Sequence, residues 1–135
     1  MIKVVAMTVL AANLSHSSNE RQLSGEYFYN VRVGFEQLAA GARASVGSAA
    51  HGFCKARGYG AALAFYLESG DSPQVTDVFC SNLQLSRETV TPARVVIARE
   101  RAERGLPLRD DVRNLLEKTS HLRFSLLKKT DASEL

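Results

Sequence analysis

From Phe35 to Arg57 the chain keeps a helical period, and on both sides of that stretch it alternates. This arrangement limits the folds open to it. Phe35, Leu38, Ala42, Val46, Ala49 and Phe53 recur at three- and four-residue steps, so they share one face of a helix. Gly58 stands where a left-handed cap is wanted, and Lys55 and Arg57 suit the negative end of the helix dipole. Upstream, Tyr27, Tyr29, Val31 and Val33 alternate with Phe28, Asn30 and Arg32. That is a strand signal, with the first set expected to face the helix and Gly34 ending the run.

Downstream, Leu63, Phe65 and Leu67 alternate with Ala62, Ala64 and Tyr66 as a second strand. A turn-forming run follows at residues 68–73, and residues 74–85 read as a third strand completing a hairpin. In that strand Val78 and Cys80 share one face, and Phe79, Ser81 and Leu83 the other. The expectation is an α+β domain. It has a small antiparallel sheet of three strands in a β-α-β-β unit, with one long helix packed on it. Nine of the ten aromatic residues lie between Tyr27 and Phe79, which puts the main core in residues 25–86. In element order, residues 25–85 resemble small βαββ domains of bacterial envelope proteins; the resemblance carries no motif and implies no functional residue.

Residues 87–135 read as a C-terminal helical segment covering an end or the second face of the sheet. Thr91 and Pro92 suit the N-cap and first position of a helix that stops at Gly105. Leu108, Val112, Leu115 and Leu116 mark another amphipathic helix. Residues 121–129 fit both a strand and a continuing helix; they are read as helix, with a frayed end at 130–135. Charge is balanced through residue 86, and the whole net charge of +3 lies beyond it. There the basic residues interleave with Asp and Glu, as on a solvated helix face, which argues against a nucleic-acid partner. Asp110 and Asp111 suit the first turn of their helix and, as neighbours, form no carboxylate dyad.

Residues 1–17 have two readings. Lys3 followed by the apolar run Val4–Leu14 is the layout of a signal peptide, and it also fits a buried strand that would be the sheet's fourth. Residues 18–24 are polar and aperiodic, as in a linker. No window reaches the length of a membrane span.

Two constellations stand out. Cys54 and Cys80 are an even pair without a CxxC; in an oxidising compartment they would join, closing a loop worth about 3–3.5 kcal/mol in chain entropy. His51 lies three residues before Cys54, on one helix face, a weak candidate for a thiol nucleophile or, with Cys80 and His121 or His16, a zinc site. The second is a run of small residues in the long helix. Its glycines predict close packing on the sheet, or a helix–helix seam through Gly41, Ser45, Ser48 and Gly52 for a protein partner or a second copy. No phosphate loop, catalytic motif, metal or cofactor signature appears. The functional expectation is a non-enzymatic binding or assembly module, secreted or periplasmic; the alternatives are a thiol enzyme or metal protein centred on His51 and Cys54, and a cytoplasmic setting.

Overall fold

The computed structural model describes residues 20–34, 42–68, 74–125 and 128–135. In chain order the elements are β1 (Glu20–Gln22), β2 (Glu26–Tyr29), β3 (Val33–Gly34), α1 (Ala42–Ala56), β4 (Ala61–Glu68), β5 (Gln74–Ser81), α2 (Arg87–Glu103), α3 (Asp110–Lys118), β6 (Arg123–Ser125) and β7 (Lys129–Asp131), with a 3-10 turn at Ala132–Glu134. The signal-peptide or strand reading of residues 1–17, the helix start at 35–41 and the turn at 69–73 fall outside the described residues. Among the described residues, no helix is long and apolar enough to cross a membrane.

The expected α+β architecture is present, and the sheet packs against helices. β5 is its axis: it pairs antiparallel with β4 on one side and with β2 and β3 on the other. α1 covers one face over Phe28, Val31, Ala62, Val75 and Val78. α2 covers the opposite face over Tyr27, Leu63, Ala64, Tyr66 and Phe79, with α3 packed on α2. The domain is therefore three layers deep, and β5 is buried on both faces. Full burial of each large apolar side chain here contributes about 1.5–3 kcal/mol.

Strict alternation fails at three places, and each failure aims residues. Asn30 has φ +57, a conformation Asn tolerates better than most residues. The break between β2 and β3 resets the side-chain phase there. Phe28 and Val31 both reach the α1 face, while Tyr27 and Tyr29 turn to α2. The expectation that Tyr27, Tyr29, Val31 and Val33 share the long helix's face is corrected accordingly. In β4 a bulge between Ala62 and Ala64 places Leu63 and Ala64 together on the α2 face. A second irregularity, opposite Tyr66 and Leu67, turns both Thr76 and Asp77 of β5 towards α2.

α1 ends as expected. Gly58 takes φ +89; its N–H donates to Lys55 O at 3.1 Å, and Tyr59 N–H donates to Cys54 O at 3.0 Å, a Schellman cap. The apolar stripe is rotated one position from the expected one. Ala50 and Cys54 face the sheet, while Ala49 and Phe53 are only half-buried. Phe53 instead stacks edge-on against Phe28 and carries the Arg57 guanidinium at 3.6 Å.

α2 begins five residues before its expected start. Ser86 is the N-cap, its Oγ accepting Thr89 N–H at 3.2 Å, and Glu88 lies in the first turn. Pro92 is thus inside the helix, where its ring removes a backbone donor. Burial of Ala93, Val95, Val96, Ile97 and Ala98 offsets that loss. Gly105, φ +72, closes α2 with a second Schellman cap: it donates to Ala102 O, and Leu106 N–H donates to Arg101 O.

The C-terminal stretch is strand rather than helix and frayed end. β6 pairs in parallel with β1, inside the segment read as linker, and β7 pairs in parallel with β2. The main sheet is consequently mixed rather than purely antiparallel. Leu122 and Phe124 follow the period of two; a continuing helix would have left β1 and the outer side of β2 without the pairing they have here.

Gly25 sits where chains meet. A Cβ there would lie 2.0 Å from Cys80 O, and its φ is +142. Gly25→Ala is expected to lower stability by about 3 kcal/mol or more, or to abolish folding. Gly52→Ala should act in the opposite direction, because Gly52 is an exposed helix residue whose Cβ would touch nothing within 4 Å. A gain of about 0.5–1 kcal/mol in urea denaturation is the expected result.

Candidate functional site

Five polar or exposed groupings are candidates for a site, two of them expected from sequence. Cys54, in the last full turn of α1, and Cys80, near the end of β5, are both fully buried. Their sulfurs stand at bonding distance, 2.02 Å, with Cα atoms 5.3 Å apart. The pair ties α1 to the central strand. His51 shares the helix face with Cys54 but turns elsewhere: its Nδ1 accepts the backbone N–H of Ala62 at 3.0 Å. That bond satisfies a donor at the start of β4, which pairs with β5 alone among the described strands. His121 follows α3, on the far side of the sheet from the cysteines, and His16 lies outside the described residues. Among the described residues no group of three His, Cys, Asp or Glu side chains could hold a metal ion.

The small-residue run does not pack as the sequence suggests. Gly47 and Gly52 would each meet nothing within 4 Å if they carried a Cβ. Close approach to the sheet therefore does not account for them. Ser48 and Gly52 lie on the exposed side of α1; Gly41 and the Ser45 side chain are outside the described set.

Two buried polar centres hold elements together. On the α2 face, Arg101 Nη1 donates to Asp77 Oδ1 at 2.5 Å and Nη2 to Pro107 O at 3.1 Å, with the guanidinium 3.8 Å above the Tyr66 ring. Asp77 also accepts from Thr76 Oγ1 at 2.7 Å and from the Tyr27 hydroxyl. Burial, then the neighbouring Asp77 carboxylate, pushes the Tyr27 hydroxyl well above its usual pKa, so Tyr27 stays a neutral donor. At the β2–β7 seam, Glu26 is 6% exposed and accepts from the hydroxyls of Tyr59 and Thr130, with Lys128 Nζ at 3.5 Å. Burial acts to raise the Glu26 pKa, but the Thr130 and Tyr59 hydrogen bonds and the Lys128 charge more than offset it and hold the carboxyl below its ordinary value. The same bond to Glu26, with burial second, pushes Tyr59 up to about 12. Both centres join separate elements through the bonds just given, and both read as structural.

The remaining feature lies on the surface. β5 ends at Ser81, so Leu83 and Leu85 belong to the loop before α2 and are 40% and 44% exposed. At Leu85 an open groove of about 500 Å³ runs along the first turns of α2, lined also by Ser86, Arg87, Val90, Thr91 and Arg94. Arg87 is exposed; Arg94 reaches Asp111 only at 3.8 Å, with both side chains open to solvent. The sequence pattern put Leu83 in the third strand, on the face of Phe79 and Ser81, and missed this grouping. The available signal was the polar setting of the two leucines, Ser81-Asn82-Leu83-Gln84-Leu85-Ser86.

Set against known proteins, the chain matches no family model, no curated protein and no solved structure.

Asp77→Ala should lower stability by about 3–5 kcal/mol in urea denaturation, since it leaves the Arg101 charge buried without its partner. Adding Arg101→Met to that variant should cost less than the sum of the two single changes. Glu26 has a folded pKa below its unfolded value of about 4.5. Its contribution is therefore complete above that pH and fades as the pH falls through the lower folded value. Glu26→Gln is expected to flatten the acid limb of a stability-versus-pH curve, and an unchanged limb would contradict the assignment.

Proposed function

We propose that the chain is a non-enzymatic binding module of an oxidising, extracytoplasmic setting, and that it docks a protein segment carrying apolar side chains flanked by carboxylates. One observation carries this reading: the exposed Leu85 lines an open groove with Val90, Arg87 and Arg94, and the exposed Leu83 stands two residues away in the same loop. Each leucine, less than half exposed, forgoes roughly 1 kcal/mol of the burial energy of a leucine side chain, which a partner's apolar groups would recover. The two guanidinium groups, near the positive end of the α2 dipole, favour carboxylates beside those apolar groups. The setting is supported by the cysteine pair at bonding distance, since cysteines persist as disulfides chiefly outside the cytosol.

The thiol-enzyme and metal reading of His51 and Cys54 has less support. It needs a free thiolate, whereas the Cys54 sulfur is buried against Cys80 and the His51 Nδ1 is taken by Ala62. Self-association through the exposed side of α1 remains a separate proposal, for which Gly52 is the residue to enlarge.

Selection of random displayed peptides on the immobilised full chain tests the docking proposal. The selected peptides should combine Leu, Ile or Phe with Asp or Glu. Leu85→Asp should abolish their binding, and Arg87→Glu should weaken it at least several-fold, in line with loss of one close charge pair. Peptides without acidic bias, or binding indifferent to both variants, would overturn the proposal.

A further inference from the structure

We propose that α1 is a redox-conditional element: the Cys54–Cys80 bond holds it on the sheet, and reduction releases it while the rest of the domain stays folded. This goes beyond the binding proposal and rests on different residues.

The two faces of the sheet hold their helices in different ways. α2 is anchored by a buried ion pair, Arg101 with Asp77, and by Ala93, Val96, Ile97 and Ala98 within one core cluster. α1, from Gly47 onward, buries only Ala50 and Cys54, with Phe53 half-covered. Its His51 accepts the backbone N–H of Ala62 in the sheet. Gly47 and Gly52 add a second, independent observation. Glycine lowers helix stability, and here no close approach explains its use, since both positions open onto empty space. Two helix-weakening residues flank the turn before Cys54, and the residues just after it, Lys55 to Gly58, are all exposed. Cys54 lies in the last full turn of α1, so opening of the Gly58 cap is the step that uncovers the buried disulfide.

The chemistry needs a dithiol. Its thiolate attacks one sulfur and breaks the Sγ–Sγ bond. Its second thiol then closes the mixed disulfide, so the dithiol leaves oxidised to a disulfide and its two hydrogens end on Cys54 and Cys80. With the bond gone, α1 keeps its apolar contacts with Phe28, Val31, Val75 and Val78 but loses the link that closes them, so that face opens more often.

Hydrogen exchange followed by mass spectrometry on the full chain, before and after dithiothreitol, tests this. The expected result is amide exchange in Ala42–Ala56 faster by about tenfold or more, with β5 and α2 unchanged. Gly47→Ala with Gly52→Ala should restore much of the lost protection in the reduced chain. Cys54→Ser with Cys80→Ser should reproduce the reduced pattern without reductant. Unchanged exchange in α1 after reduction overturns the proposal. So does simultaneous loss of protection in α1, β5 and α2, and so do cysteines that resist dithiothreitol in the native chain at a concentration that reduces the urea-unfolded chain.

Discussion

Everything in this domain is registered to β5. It pairs along both edges, with β4 on one side and β2 and β3 on the other, and is buried on both faces. Each face carries a different fastening. Cys80 points to α1 and meets Cys54; Asp77 points to α2 and meets Arg101. A buried ion pair contributes little net stability compared with an apolar replacement, but it tolerates few alternative geometries. The Asp77 centre uses donors from Tyr27 on β2, Thr76 on β5 and Arg101 on α2, so three elements must be in register before it is satisfied. It acts as a check on assembly more than as a source of energy.

That check depends on departures from regular structure. Had β5 kept a strict period of two, Thr76 and Asp77 would face opposite sides and could not both bond Arg101. The irregularity in the β4–β5 ladder turns both to one side. The left-handed turn at Asn30 does the corresponding work on β2 and β3. It lets Tyr27 reach Asp77 while Val31 fills the opposite face, and Asn30 Nδ2 donates to Asp131 Oδ1, which helps seat β7. Gly25 completes the set by allowing β2 to start against Cys80 O, where no side chain fits.

The helices divide along the same line. α2 is long, capped by Ser86 and Gly105, and fills one core cluster with branched apolar side chains. α1 is small-chained and interrupted by glycines that contact nothing, and its hold on the sheet is covalent as much as hydrophobic. The exposed leucines of the β5–α2 loop sit at the junction between the rigid strand and the well-anchored helix. A docking surface placed there is preorganised, which limits the ordering entropy that binding must overcome.

Local chemistry was enough to determine the helix at α1 and its glycine cap, the β4–β5 hairpin partners, the stop at Gly105, the first-turn acids of α3 and the pairing of two cysteines. Each of these rests on residues close in sequence, or on the absence of any other cysteine to pair with. Tertiary structure alone decided which face each strand residue took, because a single bulge or left-handed residue inverts the pattern without changing composition. It also moved the start of α2 to Ser86, since burial of the helix outweighed the preference of Pro92 for a first turn. Residues 123–125 and 129–131 became strand because β1 and β2 offered unpaired edges, a fact no window around Leu122 contains. The exposure of Leu83 and Leu85 was hidden for the same reason: where β5 stops, and so whether those leucines are core or surface, is set by partners far away in the chain.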